Sequence, residues 1–254
     1  LMIDNYLWGS SERISPEAPV QIVDINKKSS VLGGAGNVVK NLNSLGAEVD
    51  IISVIGNCNA SKELINLLLE IDVNINYLIT EKDRITSKKS RIISSNQQVV
   101  RYDFESNEDI NSESEEKVIK SFKRVVNNYD LVLISDYGKG LLTINLTKSL
   151  IHIANSNNKK VLVDPKGLDY SKYNGAFLLT PNKKEASEST QVQINDQESL
   201  LKAITILKDI CNLKISLITM SDEGVAIFDN ELRIHPTVAI EVFALASVSA
   251  SSLK

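Results

Sequence analysis

The amino-acid sequence predicts an α/β fold: a doubly wound, mostly parallel sheet with helices on both faces and a small antiparallel β lid. Short apolar runs rich in β-branched residues alternate with segments of helical periodicity, and this alternation is typical of βαβ units. The runs show no polar alternation, as expected of strands that are covered on both faces. Two further segments do alternate apolar and polar residues, and they predict the lid. We expect residues 1–254 to form a single domain of this kind.

The first half of the chain supplies the lid strands and the first helices. Periodicity predicts two helices, at about 35–45 and 60–70, with a strand at 49–55 between them. The alternating segments are residues 20–25 and 87–104, each with one face in water. Ser94-Ser95-Asn96-Gln97 has turn chemistry and makes the second segment a hairpin. We predict that these strands close over a ligand, although a plain edge extension of the main sheet fits the same pattern.

The second half of the chain, from Tyr129 onward, predicts the core of the parallel sheet. Bare apolar runs mark strands at 131–134, 161–163, 177–179 and 215–218. Helical patterns between these strands span about 144–156, 183–188 and 197–211. Just before the first strand, the charged stretch 105–117 predicts a solvated turn that enters a helix.

Composition excludes several classes of function. The formal net charge of −4 at pH 7 disfavours binding to nucleic acid or to an anionic membrane surface. No apolar run approaches the ~18 residues that span a bilayer. Two cysteines and two histidines are too few for a disulfide framework or for a histidine-centred site. We therefore expect a cytoplasmic protein whose chemistry depends on carboxylates, lysines and backbone amides.

Polar and charged residues follow four successive predicted strands. In an open parallel sheet, ligands bind beyond the carboxyl ends of the strands, in the loops that lead into helices. The residues at these positions are Asp136 and Lys139, Lys166, Asn182 to Glu185, and Thr219 to Gly224. Lysines, helix N-termini and carboxylates that bind Mg²⁺ all favour a phosphate-rich ligand across these ends. Asn182 and Glu185 also have the spacing of a helix capping box, and that alternative remains open.

A glycine-rich string precedes the first predicted helix. Gly33-Gly34-Ala35-Gly36-Asn37 lets backbone N–H groups approach an anion or a polar sugar closely. The P-loop pattern G-x-x-x-x-G-K-[ST] does not occur in the sequence, so the string is not a Walker A motif. A tight junction between loop and helix would explain the same glycines.

Taken together, these strings resemble the signatures of the PfkB/ribokinase family of carbohydrate kinases. The resemblance rests on residues 33–37 followed by Leu45-Gly46-Ala47, on Asn182-x-x-Glu185, and on residues 219–224. Longer strings are similar to the heptose-7-phosphate kinases within that family. These strings are residues 1–9, 13–20, 96–98, 101–105, 135–140 and 164–167. The likeness runs from Leu1 to about Phe243, so it covers nearly the whole chain.

The resemblance implies a ribokinase-like fold and a specific reaction. The reaction is ATP-dependent phosphorylation of the anomeric C1 hydroxyl of D-glycero-D-manno-heptose 7-phosphate, on the route to ADP-heptose and lipopolysaccharide core. The implied substrate-binding residues are Asp4, Gly33, Gly34, Asn37, Arg101, Asp103, Asp136 and Lys139. The implied nucleotide-binding residues are Lys166, Asn182, Lys183, Lys184, Glu185, Thr219, Ser221 and Gly224. The resemblance also implies Mg²⁺ held by Glu185 through water, ATP as co-substrate, and a homodimer formed through the lid.

Two departures from the family pattern bear on catalysis. The family opens with a strand ending in Gly-Asp before the string that starts here at Leu1, and it continues Asp-x-Thr-Gly-Ala-Gly-Asp after the residue matching Phe243. Residues 244–254 do not contain that string, so no residue of this sequence is assigned as the catalytic base. Two alternatives remain open: a PfkB kinase for another sugar or sugar phosphate, and a non-catalytic relative that binds sugar or nucleotide.

Overall fold

The computed structural model of the protein describes residues 1–237, which divide into two compact units. The first unit is Leu1–Asn107, and the second begins at Glu108. Each unit has its own sheet and its own helices. The single-domain organisation stays a prediction, and the expected motif position after Phe243 lies outside the described residues.

The first unit is built on a four-stranded sheet. Its elements in chain order are β1 (Met2–Ile14), β2 (Gln21–Gly33), α1 (Ala35–Ser44), β3 (Ser53–Ile55), α2 (Asn59–Leu69), β4 (Leu78–Thr80), β5 (Ser87–Ser94) and β6 (Gln97–Phe104). The strand order of the sheet is β2-β1-β5-β6. The short strands β3 and β4 form a separate parallel pair. The hairpin β5–β6 turns at Ser95 and Asn96, both with positive φ, which suits a two-residue turn.

Strands cover both segments predicted for the lid, residues 20–25 and 87–104, and their closing over a ligand stays a prediction. The sheet is mixed rather than antiparallel, because β1 and β5 run parallel while β1–β2 and β5–β6 are antiparallel. A chain that leaves β2 and passes through α1, β3, α2 and β4 makes a long crossover, and parallel pairing requires such a crossover. The strand expected at 49–55 is shorter, and it pairs with β4 rather than with the sheet of the second unit.

One face of the four-stranded sheet is covered by the two helices. Ile3 of β1 and Leu32 of β2 pack in one buried cluster with Val39 of α1 and with Leu64 and Leu68 of α2. Leu64 and Leu68 are four positions apart, so they share one helix face. Side chains alternate along a strand, so the strand residues next to Ile3 and Leu32 point to the opposite face of the sheet.

The second unit contains a six-stranded sheet with helices. Its elements are α3 (Ser112–Val125), β7 (Leu131–Ser135), α4 (Ile144–Ser156), β8 (Lys160–Asp164), β9 (Leu178–Leu179), α5 (Lys183–Thr190), α6 (Gln197–Cys211), β10 (Ile215–Thr219), β11 (Val225–Phe228) and β12 (Leu232–His235). The strand order is β12-β11-β10-β9-β8-β7. Strands β7 to β10 are parallel, as predicted, and β11 and β12 are antiparallel additions at one edge.

Helix caps explain why the helices of this unit begin and end where the sequence predicts. Thr143 accepts a hydrogen bond from the N–H of Leu146 and begins α4. Asp196 and Ser199 form a capping box that begins α6, and Asn212 ends that helix in the left-handed conformation. The helices expected at 144–156 and 197–211 are therefore confirmed in both position and length.

Within residues 1–237, no helix combines the length and the apolar character that a bilayer crossing requires.

Candidate sugar and nucleotide sites

The face of the four-stranded sheet opposite the helices carries charged side chains from three neighbouring strands. Asp4 of β1 pairs in register with Lys89 of β5, which in turn pairs with Asp103 of β6. Two positions along β5, Arg91 pairs directly with Arg101. Residues paired across neighbouring strands point to the same face, so these five side chains form one surface. We call this surface the charged face.

The carboxylate of Asp4 is held by an arginine and by a glycine. Arg91 Nη1 donates a hydrogen bond of 2.6 Å to Asp4 Oδ1. The guanidinium of Arg91 also lies over the ring of Tyr6, 5.3 Å from its centroid, in cation–π geometry. A Cβ atom at position 33 would stand 2.5 Å from Asp4 Oδ2, closer than any real contact. Gly33 therefore leaves the space that this carboxylate occupies.

Asp103 and Lys89 form the second part of the charged face. Lys89 Nζ lies 2.8 Å from Asp103 Oδ2 and 2.9 Å from Glu105 Oε2, while Arg101 Nε lies 3.1 Å from Asp103 Oδ1. Burial alone would lower the pKa of Lys89, but the hydrogen bonds to Asp103 and Glu105 raise it. The hydrogen bond from Lys89 lowers the pKa of Asp103. Both groups are therefore charged at neutral pH.

The glycine string lies beside Asp4 and begins α1. Gly34 has φ 52° and ψ −129°, a conformation that side chains rarely adopt, and it is the N-cap of α1 without a side-chain cap. The N–H groups of this first turn therefore lack a side-chain acceptor, and such groups are suited to a polar or anionic ligand. Asn37 lies exposed in the same turn. The structure thus places Gly33 against Asp4, with Gly34 and Asn37 following in the chain, and sugar binding by these four residues stays a prediction.

The carboxyl ends of the parallel strands form the candidate nucleotide site of the second unit. The N–H of Asp136, after β7, donates a hydrogen bond of 2.9 Å to the carbonyl of Asp164 at the end of β8. Lys166 Nζ then reaches Glu185 Oε1 of α5 at 2.8 Å. Asn182, before α5, forms a parallel bridge with Thr219 at the end of β10. These strand-end residues are therefore neighbours.

Asn182 and Glu185 do form the capping box that the sequence allowed. The Asn182 side chain accepts from the N–H of Glu185 at 2.9 Å, and Glu185 Oε2 accepts from the N–H of Asn182 at 3.1 Å. A helix cap does not need the second contact of Glu185, the one that Oε1 makes with Lys166. The capping role is therefore present, and the side chain takes part in the strand-end cluster as well.

Asp164, at the end of β8, was not among the predicted site residues, and we add it as a candidate. Burial raises the pKa of its carboxyl, and so do the nearby charges of Glu185 and Asp136, while the ammonium of Lys166 lowers it in part. Carboxylates this close repel one another, and a cation relieves that repulsion. The oxygen donors of Asp164 and Glu185 suit Mg²⁺, which is commonly held by one or two carboxylates, waters and substrate phosphates. The sequence signal for Asp164 was its position at a strand end, two residues before Lys166.

The loop after β10 completes this side of the second unit. Ser221 begins a 3₁₀ turn, Ser221–Glu223, and Gly224 ends it with φ 99°. A side chain at position 224 would collide with the carbonyl of His235, so only glycine fits. Lys183 Nζ lies 2.8 Å from Glu223 Oε1, which joins α5 to this loop.

An open cleft on α5 and the loop that follows it adds room beside these residues. Its volume is about 680 Å³. It is lined by Lys183, Lys184, Ser187, Glu188, Gln191 and Gln193. The last predicted residue, Lys139, lies in the loop after β7 between Gly138 and Gly140, which both have positive φ.

A glycine-led helix, a charged sheet face and polar strand ends are features of carbohydrate kinases, and the chain belongs to that class. A family model described as "pfkB family carbohydrate kinase" matches residues 1–244. The resemblance to the PfkB/ribokinase family is therefore confirmed.

Two relatives share high sequence identity with the chain. Over 243 residues it is 58% identical to the bifunctional protein HldE of Aliarcobacter butzleri and 56% identical to the bifunctional protein HldE of Sulfurimonas denitrificans. Each match covers 96% of this chain and 51% of the relative. The chain therefore spans about half the length of the curated relatives it matches.

Solved structures show the same fold at low sequence identity. The tetrameric inhibited form of phosphofructokinase-2 from Escherichia coli has a TM-score of 0.73 and 17% identity, covering 92% of this chain and 75% of that one. Ribokinase of Arabidopsis thaliana, complexed with ribose and ATP, has a TM-score of 0.69 and 15% identity, covering 95% and 77%. The predicted ribokinase-like α/β fold is therefore confirmed.

Proposed function

We propose that this protein is an ATP-dependent kinase that phosphorylates the C1 hydroxyl of D-glycero-D-manno-heptose 7-phosphate. Membership of the carbohydrate kinase family supports the reaction class. The strings that resemble heptose-7-phosphate kinases support the choice of sugar. The 1,7-bisphosphate product would feed ADP-heptose and lipopolysaccharide core synthesis, and we place the reaction in the cytoplasm.

The charged face supports our proposal that the acceptor sugar already bears a phosphate. Lys89, Arg91 and Arg101 are three cations on two neighbouring strands of one face. Arg91 and Arg101 stand directly opposite each other, and each lies beside a carboxylate, Asp4 and Asp103 respectively. An arginine has five N–H donors, so it can bind a phosphate oxygen through a charge-assisted hydrogen bond while it keeps its carboxylate partner. A sugar without a phosphate would not use these donors.

The first unit would bind the rest of the sugar through polar groups beside this cluster. We propose that the carboxylate of Asp4 accepts hydrogen bonds from sugar hydroxyls. The backbone at Gly33 and Gly34, with the side chain of Asn37, would contact the ring. Arg101 and Asp103 would approach the acceptor from the lid. Each of these groups is already positioned, so binding needs little reorganisation.

The second unit would bind the nucleotide at the strand ends. Lys166, Lys183 and Lys184 would approach its phosphates, with Lys139 beside their path. Asn182, Thr219, Ser221 and Gly224 would shape the loops that border it. Mg²⁺, held by Glu185 through water and by Asp164, would neutralise charge on the phosphate oxygens. Phosphoryl transfer depends mainly on positioning and on electrostatic stabilisation, which this set of groups provides.

The test is turnover by the full-length protein with ATP and a panel of sugars. The panel contains heptose 7-phosphate, unphosphorylated heptose, a ketose phosphate and 2-keto-3-deoxygluconate. We expect phosphorylation of heptose 7-phosphate alone, with the new phosphate on C1 by ³¹P NMR. Turnover of another member of the panel would replace the substrate assignment. Binding of sugar and nucleotide without turnover would show a non-catalytic relative instead.

We also propose that two copies associate through β6. This strand is an edge of the four-stranded sheet and is exposed along its length. On the face opposite Arg101 and Asp103 it presents Val100, Tyr102 and Phe104, which are 45%, 50% and 65% exposed. An apolar, exposed edge strand is a surface that pairs with another chain. We expect a dimer in sedimentation experiments and a monomer after Tyr102→Lys. A dimer that survives this change would contradict the assignment to β6.

A further inference from the structure

Asp136 is a buried carboxylate whose two oxygens are both hydrogen-bonded. Its side chain is 3% exposed. Oδ1 accepts from the N–H of Gly138 at 2.7 Å, while Oδ2 accepts from Lys172 Nζ and from the hydroxyl of Tyr173, each at 2.7 Å. A buried charge needs such partners, because an unpaired one is strongly unfavourable. The contacts tie the loop after β7 to the 3₁₀ turn Ser171–Tyr173.

The hydroxyl of Tyr173 links Asp136 to Lys166 by hydrogen bonds. It donates to Asp136 and accepts a hydrogen bond of 3.0 Å from the backbone N–H of Lys166. The ring of Tyr173 is fully buried, so it cannot follow a moving loop. Lys166 is the residue whose ammonium reaches Glu185 at 2.8 Å. A continuous path of hydrogen bonds thus runs from Asp136 through Tyr173 to the backbone of Lys166.

Lys172 strengthens the same junction from the other side. Besides its ion pair with Asp136, its ammonium lies 3.3 Å from the carbonyl of Leu142 and 5.0 Å from the centre of the Tyr173 ring. Two consecutive residues of one short turn therefore converge on a single carboxylate. Nothing in the sequence pattern singled out this turn, because a tyrosine between polar residues is typical of an ordinary loop.

We propose that Tyr173, together with Asp136, is a positioning residue that fixes Lys166 for the nucleotide phosphates. The proposal rests on the proposed kinase function. It assigns Asp136 a role through Tyr173 and Lys166, in place of direct contact with the acceptor. Lys166 is half-exposed at its ammonium end, so its backbone is the part that the fold can hold in place. Losing that hold lets the ammonium sample other positions and weakens its contact with phosphate.

The neighbouring Tyr170 offers a matched control. Its ring is also buried, at 2% exposure, and it packs edge-on against Tyr173 with centroids 5.7 Å apart. Its hydroxyl makes no hydrogen bond to Asp136 or Lys166. Tyr170→Phe and Tyr173→Phe therefore remove the same atom from the same aromatic pair. Only the second change breaks hydrogen bonds to Asp136 and Lys166.

The experiment compares these two variants in the full-length protein by kinetics and by amide hydrogen exchange. For Tyr173→Phe we expect KM for MgATP to rise about tenfold, the size of one lost hydrogen bond to a charged group, with KM for the sugar unchanged. We also expect faster exchange of the Lys166 amide. Tyr170→Phe should leave all three quantities unchanged. In a Lys166→Ala background, Tyr173→Phe should add little, since the two changes act on one path.

Each outcome decides the proposal. Faster exchange at Lys166 without a change in KM for MgATP would show a merely structural hydrogen bond and would overturn it. Additive effects of Tyr173→Phe and Lys166→Ala would overturn it as well. If the parent protein transfers no phosphate to any sugar, the kinase function fails, and KM for MgATP is replaced by the affinity for MgADP measured by calorimetry. An affinity unchanged by Tyr173→Phe would then overturn the positioning role.

Discussion

The guanidinium of Arg91 lies 2.6 Å from the carboxylate of Asp4, although the two residues are 87 positions apart in the chain. Both side chains are about one-fifth exposed, so the pair is shielded from water yet open to a ligand. A hydrogen bond between two charged groups in that environment is stronger than a surface salt bridge. The pair therefore fixes the direction in which Asp4 presents its second oxygen.

Gly33→Ala should remove sugar binding with little harm to the fold. The new Cβ would displace the Asp4 carboxylate and break its contact with Arg91. Because a side-chain end can move aside, we expect stability to fall by only about 1–2 kcal/mol. Affinity for the acceptor, measured by calorimetry, should fall at least tenfold.

Gly46→Ala is the control for this change. Gly46 has φ 86° and no atom near its added Cβ, so alanine there strains the backbone without touching Asp4. We expect a comparable loss of stability, about 1 kcal/mol, with acceptor binding intact. Equal losses of binding in both variants would mean that Gly33 has no specific relation to the sugar.

Arg101→Ala should raise KM for a phosphorylated acceptor by about tenfold or more, because a charge-assisted contact to phosphate is lost. The fold should be unaffected, since Asp103 keeps its ion pair with Lys89. The dissociation constant of unphosphorylated heptose, measured by calorimetry because we expect no turnover of this sugar, should not change. Arg233→Ala removes another arginine that forms ion pairs, with Asp229 and Glu231, and serves as the control. If Arg101→Ala raised the constants of both sugars, Arg101 would contact the sugar hydroxyls rather than the phosphate.

Glu185→Gln should separate the helix cap from the metal role. A glutamine can still accept from the N–H of Asn182, so α5 should keep its start and the melting temperature should stay within a few degrees. The Mg²⁺ concentration for half-maximal rate should rise several-fold, because a carboxylate ligand becomes neutral. Asp196→Asn neutralises the carboxylate of the α6 capping box, which stands there at the N-cap, and should alter neither quantity. An unchanged Mg²⁺ dependence in Glu185→Gln would limit that side chain to capping.

Asp164→Asn should stabilise the protein at neutral pH while weakening its use of Mg²⁺. The folded-state pKa of Asp164 is raised above the ordinary value of 3.8, first by burial and then by Glu185. Its charged form is therefore disfavoured by folding, and this cost is present once the pH exceeds the folded-state pKa. Below 3.8 the carboxyl is protonated in both states and the cost disappears.

Thermal melts at several pH values test this sign. The gain in melting temperature from Asp164→Asn should be present at pH 7 and absent at pH 3. Added Mg²⁺ should reduce the gain at pH 7, because the cation stabilises only the parent carboxylate. A variant that is less stable than the parent at pH 7 would contradict the repulsion between Asp164 and its neighbours.

Local chemistry in the sequence predicted much of the second unit. The apolar runs at 161–163 and 215–218 became strands with a buried core, in which Val161, Val163 and Ile218 are fully buried. The run at 131–134 is an exception: β7 is an edge strand, and Leu131 and Leu133 are 49% and 39% exposed. The caps at Thr143 and Asp196 set the helix starts. The strand-end rule then found Lys166 and Glu185, because parallel strands present their carboxyl ends along one edge.

The missed features depend on contacts between distant segments. Lys89 and Arg91 belong to an alternating strand, where charges indicate only a solvated face; their role follows from the register with Asp4 and Asp103. The parallel pairing of β1 with β5 depends on a crossover that local patterns do not reveal. Tyr173 gave no signal at all, since its importance lies in two hydrogen bonds that its sequence neighbours do not share.

The placement of β1 beside β5 also affects when the protein can fold during synthesis. Asn5 and Ser90, which share a buried hydrogen bond, leave the ribosome with 85 positions between them. At about 5–20 residues per second, the first strand waits several seconds for its partner. During that interval β1 pairs only with β2, and the backbone groups on its other edge can pair with a wrong strand. Nascent chains halted before Ser87 should therefore depend on chaperones, whereas chains released after Phe104 can close the sheet unaided.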